Sequence, residues 1–105
     1  MNWYQNLYVG KTAHKKKQEL IDKIEQEQEL LRAYLITIAP DERNQLEIVT
    51  PTIYWQQAER IGAEPMIVGL AWGMREAKEV LVEMTEDVYQ SLGRLDYRSY
   101  FLAHG

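Results

Sequence analysis

Between Pro65 and Tyr89 the chain reads PMIVGLAWGMREAKEVLVEMTEDVY, an apolar strand that passes through a glycine into an amphipathic helix. Met66, Ile67, Val68, Leu70 and Ala71 form a nearly continuous apolar run, the pattern of a strand covered on both faces. Gly73 then stands where a helix N-cap would, with Glu76 three residues on and Met74, Ala77, Val80, Leu81, Met84 and Val88 recurring at helical spacing. A strand buried on both sides needs a layer on each, so this stretch points to an α/β architecture. It carries no nucleophile, no cluster of metal ligands and no complete phosphate loop at the strand's end. It therefore informs about construction and narrows chemistry by exclusion.

The rest of the chain alternates in the same way. A first helix is expected from about Thr12 to Leu31, with Thr12 as N-cap and Leu20, Ile21, Ile24, Leu30 and Leu31 among its apolar positions. AYLITIA, Ala33 to Ala39, reads as a strand closed by Pro40-Asp41. Leu46, Ile48 and Val49 fit either a short strand or one helical turn. Thr50-Pro51 is a cap followed by proline at the first helical position, opening a helix through Ile61 that Gly62 ends. Gly93 is placed as the C′ residue of the long helix from Met74 to Leu92, and Leu95 to Leu102 forms a short aromatic tail packed back on the body. Leu7-Tyr8-Val9 is compatible with a third, edge strand. If the two main strands are neighbours, the connection of about 26 residues suits a right-handed crossover helix and a parallel pair. The expectation is a single α/β domain over residues 1–105, with α+β as the alternative: a small, at least partly parallel sheet flanked by helices in the order α-β-α-β-α.

With 105 residues the chain can bury one core and is too short for separate catalytic and binding domains. A hydrophobic share of 46% and a charged share of 27% are those of an ordinary globular protein. The net charge of −4 and pI near 5.2 argue against the uniformly basic surface of a dedicated DNA-binding domain. Cysteine is absent, which removes disulfides, thiol catalysis and zinc ribbons and fits a reducing, cytoplasmic setting. The uncharged stretch Pro65 to Met74 is about half the length a membrane-spanning helix requires, and the aromatic, polar opening from Met1 to Gly10 does not resemble a signal peptide.

Gly10-Lys11-Thr12 matches the end of a phosphate-binding loop, in which backbone N–H groups wrap a phosphate, but Gln5 stands where the first glycine belongs. Gly69 and Gly73 lack the middle glycine of a dinucleotide fingerprint; Gly69 is better explained by close packing. Lys11, Lys15, Lys16 and Lys17 gather positive charge at the start of the first helix, while Glu25, Glu27 and Glu29 sit near its end. Both ends oppose the helix dipole. This cluster is either a solvated face, with pairs such as Glu19 to Lys23, or a patch for an anion or acidic partner. Glu79, Glu83, Glu86 and Asp87 read as a solvated face rather than a cation site. Neither His14 nor His104, and neither Ser91 nor Ser99, has the surroundings of a general base or nucleophile. No catalytic residue, metal or cofactor is indicated.

Trp3, Tyr4, Tyr8, Tyr54, Trp55, Trp72, Tyr97, Tyr100 and Phe101 are many large aromatics for a small body, and such residues anchor interfaces. The segments NWYQNLYVG, KKK, YLITIA and IVGLAWGMREA together resemble a loose group of small bacterial proteins of about this length that have no assigned activity. The resemblance implies a bacterial cytosolic origin and no catalytic or binding residue. The leading functional expectation is a non-enzymatic interaction or regulatory module, a homodimer with an acidic protein as a further partner. The alternative is a small anionic-ligand binder or enzyme whose pocket lies at the carboxyl ends of the strands, lined by Asp41, Trp72, Gly73 and Arg75. A third reading is weak nucleic-acid binding through Lys11 to Lys17, with Trp3, Tyr4 and Tyr8 stacking on bases.

Overall fold

The computed structural model describes residues 1–40 and 45–104. Among these, the elements in chain order are β1 (Trp3–Val9), α1 (Lys11–His14), α2 (Lys17–Glu25), β2 (Ala33–Ile38), β3 (Leu46–Val49), α3 (Pro51–Ile61), β4 (Ile67–Trp72), α4 (Met74–Leu92) and α5 (Tyr97–His104). The strands form one mixed sheet in the order β1-β4-β2-β3. β1 runs parallel to β4, whereas β2 is antiparallel to both β4 and β3.

The central strands are the two whose apolar runs mark them as doubly covered. Leu35, Ile36, Ile67, Val68, Leu70 and Ala71 are all fully buried. Residues of both strands feed the two sides, with the alternation of β4 broken at Val68, where Ile36 is level with Gly69 and Thr37 with Ile67. Ala33, Leu35, Ile67 and Leu70 pack with Ala13, Leu20, Ile24, Tyr54 and Ala58 from α1, α2 and α3. Ile36, Ile38, Val68 and Ala71 pack with Ala77, Val80, Met84 and Val88 of α4 and Phe101 of α5. Gly69 allows α4 to close on the sheet, since a Cβ there would lie 2.5 Å from Met84 Cε and 3.0 Å from Ile36 Cδ1.

Two helices end where local chemistry says they should. Thr50 Oγ1 accepts from the Ile53 N–H at 3.2 Å, Pro51 opens α3, and Gly62 closes it at φ 70°. Gly93 closes α4 at φ 71°, a left-handed conformation that glycine adopts without a side-chain clash.

Three expectations need correction. The order is not α-β-α-β-α, because the chain opens with β1 and β3 intervenes before α3. β2 and β4 are neighbours, as supposed, but antiparallel: the hairpin from β2 to β3 reverses the chain before α3 returns it, so no single crossover joins them. The parallel part of the sheet is instead β1 on β4. Finally, the helix expected from Thr12 to Leu31 is two helices with Gly10, not Thr12, at the first cap. Ala13 and Leu20 both face the sheet, but the lysines between them are exposed, so the chain bends there at little cost. The helix stops at Glu25; Glu27 has φ 58°, and Leu31, 83% exposed, lies outside it. Glu27 and Glu29 therefore no longer oppose a helix dipole.

Candidate functional site

Parallel pairing brings the carboxyl ends of β1 and β4 together. Val9 is level with Leu70, and the Gly10 N–H donates to the Leu70 carbonyl at 2.9 Å. Each strand then enters a helix, β1 through Gly10 into α1 and β4 through Gly73 into α4. The amino end of antiparallel β2 meets them: Ala33 is level with Trp72, and the Gly73 N–H donates to the Arg32 carbonyl at 2.6 Å. Trp72, Gly73 and the segment from Gly10 to Lys16 thus share one end of the sheet.

The carboxyl end of β2 is at the opposite end, where the Ile38 N–H donates to the Met66 carbonyl at 3.1 Å, so the expected pocket between the carboxyl ends of β2 and β4 does not form. Asp41 itself lies outside the described residues. Arg75 is on α4, but its side chain is 97% exposed and stands 3.9 Å from Glu79.

The backbone where Gly10-Lys11-Thr12 enters α1 does hold an anion, through Thr12 and Ala13, and the anion is Glu76. Its Oε1 accepts from the Thr12 N–H at 2.6 Å, and its Oε2 accepts from the Trp72 N–H at 2.7 Å and the Ala13 N–H at 3.3 Å. Partial burial alone would raise the carboxyl pKa, but the N–H groups of Trp72, Thr12 and Ala13 outweigh it and hold the group below its ordinary value. Gly10 is required by this arrangement, because any Cβ there would run into the Glu76 side chain. No acid stands in the first turn of α1, since the acid that serves its N-terminus comes from α4. A phosphate has no place on these N–H groups.

Beside this pin lies a small cavity of about 130 Å³, walled by Thr12, Lys15, Lys16, Leu20 and Trp72. Trp72 is half-buried and supplies an aromatic wall; both lysines are exposed. The structure therefore joins one residue of the expected strand-end set, Trp72, to two of the expected cationic patch. Lys11 is exposed on α1. Lys17 turns away to a different cleft, with His14, Glu83 and residues Asn6 to Val9. Sequence reading missed Thr12 and Leu20 as lining residues and assigned Glu76 to its own helix. The available signal was a helix start at Gly10 with no acid of its own.

Two larger grooves flank the Gly62 to Glu64 turn, one of about 650 Å³ beside Pro40, Arg60, Ile61 and Pro65, the other of about 400 Å³ beside Glu27, Trp55 and Glu59. Both are broad and open. Among the described residues no three His, Asp or Glu side chains gather as metal ligands, and no helix is long and apolar enough to cross a membrane.

Tyr4, Tyr54 and Phe101 are buried, and the other aromatics singled out in the sequence are half-buried. Phe101 is met edge-on by Tyr4 at 4.9 Å, Tyr100 at 5.1 Å and Tyr8 at 6.2 Å between ring centres, and Tyr54 meets Trp55 at 5.7 Å. The Tyr8 hydroxyl donates to Asp87 at 2.6 Å, and that of Tyr54 donates to the Pro65 carbonyl at 2.9 Å. The cluster fastens α5 to β1. It leaves Tyr4 buried and Tyr8 half-buried. No protein-family model, curated protein or solved structure matches the chain.

Proposed function

We propose that this chain is a non-enzymatic binding module that takes a small organic anion between Trp72, Lys15 and Lys16. The observation that carries the reading is the cavity of about 130 Å³ in which an indole wall, the Leu20 side chain and two lysines meet. Apolar walls with a few charged groups at the mouth favour a ligand with a hydrophobic body and an anionic end. The volume equals that of roughly four water molecules, which suits an aromatic or branched carboxylate and is too small for a nucleotide. The anion meets lysine ammonium groups rather than backbone N–H groups, since Glu76 already occupies the latter. A cytosolic bacterial setting and a dimeric state belong to the same proposal; Val82 and Tyr89, exposed two turns apart on α4, support the dimer.

Titration of the protein with benzoate, isovalerate, phenyl phosphate and neutral benzamide, followed by amide chemical shifts, tests the assignment. Benzoate is expected to bind with Kd on the order of 0.1–1 mM, from roughly half a kcal/mol per heavy atom. It should move Thr12, Lys15, Lys16 and Trp72 and weaken about tenfold when Lys15 and Lys16 are both replaced by glutamine. Benzamide binding as tightly as benzoate, or shifts confined to other residues, would sink the reading.

A further inference from the structure

At the other side of α1, β1 is an outer strand of the sheet and lies at the floor of a cleft of about 300 Å³. The cleft is lined by Asn6, Leu7, Tyr8 and Val9, with His14 and Lys17 on one bank and Glu83 on the other. Because the Gly10 N–H points to β4, alternation along an extended chain sends the N–H and C=O of Tyr8 the same way and those of Leu7 and Val9 outward, into the cleft. β1 also departs from its neighbour just before this point: Trp3 is level with Ile67 and Tyr8 with Gly69, so five steps along β1 match two along β4. The irregularity carries Gln5 and Asn6 outward and leaves Leu7 to Val9 as the accessible length of edge.

We infer that this edge accepts an extended peptide segment of a partner protein as an added strand, with acidic and basic residues alternating along it. The banks lie on opposite faces of the sheet: Leu7 and Val9 pack toward the α1–α3 layer and Tyr8 toward the α4 layer. Successive residues of an added strand point to opposite faces. A side chain directed to the first bank meets Lys17 and His14, and its neighbour meets Glu83. Main-chain bonds to Leu7 and Val9 hold the strand, and the two banks set its register. The same charges exclude a second copy. Antiparallel pairing of β1 with its own copy about a two-fold axis sets Lys17 against Lys17 and Glu83 against Glu83, and like charges facing each other across paired strands are unfavourable.

The test uses a blocked eight-residue peptide repeating glutamate, lysine, valine, threonine, so that both glutamates share one face and both lysines the other. A control of the same composition repeats glutamate, valine, lysine, threonine, which puts glutamate and lysine on one face. Amide hydrogen exchange of the intact protein is read at residues 7 to 10. The first peptide is expected to slow exchange at Leu7 and Val9 at least tenfold, leave Tyr8 unchanged, and bind at least tenfold more tightly than the control. Lys17→Glu, which sets a carboxylate on each bank, should cut the preference for the first peptide over the control to less than threefold. No slowing at millimolar peptide, equal binding of the control, or protection that grows with protein concentration in the absence of peptide would overturn the inference, the last by making the occupant a second copy.

Discussion

Gly10→Ala and Glu76→Ala form a pair whose combined effect has a sign that only the Glu76 pin explains. Glu76 accepts three N–H groups, two at 2.6 and 2.7 Å and one at 3.3 Å. A hydrogen bond to a charged group contributes roughly 1.5–3 kcal/mol and a lost N-cap costs about 0.5–2 kcal/mol. The side chain is only partly buried and the terms are not additive, so Glu76→Ala is expected to cost about 2–4 kcal/mol. That is a large part of the roughly 5–15 kcal/mol typical of a domain. Gly10 has φ −65° and ψ 160°, which alanine adopts freely, so its substitution carries no backbone strain. Its cost is the displacement of Glu76, about 2–3 kcal/mol by the same reckoning. With Glu76 already alanine, Gly10→Ala should be neutral or stabilise by about 0.4–1 kcal/mol through the stiffer unfolded chain. Urea unfolding followed by circular dichroism at neutral pH measures all four corners of the cycle. The pH dependence has a fixed sign: the carboxyl pKa is depressed in the folded state, so its contribution is full above the ordinary glutamate value and fades as pH falls through the folded one. Wild type and Glu76→Gln should therefore converge in acid. Equal cost of Gly10→Ala in both backgrounds would refute the pin.

Other expectations follow from the packing. Gly69→Ala should lose about 1–3 kcal/mol in urea, because the new methyl meets Met84 and the stiff Ile36 Cβ at 3.1 Å, and shortening Met84 to alanine should make the pair less than additive. Thr50→Ala removes the cap of α3 and should cost about 1 kcal/mol with an unchanged slope in denaturant. Burial, then the nearby Glu64, pushes the Tyr54 hydroxyl up to about 12. Stability is then full below the ordinary tyrosine value near 10 and falls as pH rises toward about 12. Alkaline unfolding should move to higher pH in Tyr54→Phe when compared at equal starting stability.

How much of this was legible in the sequence depends on the range over which each cause acts. The bounds of α3 and α4 follow from Thr50-Pro51, Gly62 and Gly93, all of which act within a turn of their own position. The strands β2 and β4 show themselves because burial on both faces leaves continuous apolar runs. The direction of β2 was not legible, since it turns on whether LEIV at residues 46–49 is a strand, and four residues carry no decisive period. At the site, Trp72, Lys15 and Lys16 were each singled out, but nothing local places them together. That depends on β1 choosing β4 as its neighbour across about sixty residues of sequence, a pairing that edge-strand Leu7-Tyr8-Val9 does not announce. Glu76 was misread for the same reason: a glutamate in a first turn has an obvious local use, and its partners Thr12 and Ala13 are distant in the chain.

The parallel pairing of β1 with β4 also sets an order of events during synthesis. β1 is made about sixty residues before its neighbour in the sheet, the acceptor on Leu70 and the carboxylate on Glu76. Closing so long a loop is slow. The hairpin of β2 and β3 needs no such wait. The lysine-bearing amino-terminal third is thus the last part to be locked, and pulse-labelled amide exchange during refolding should find Leu7 to Ala13 protected later than Leu35 to Val49. Until then the nascent segment displays its lysines and its unpaired strand to whatever lies nearby.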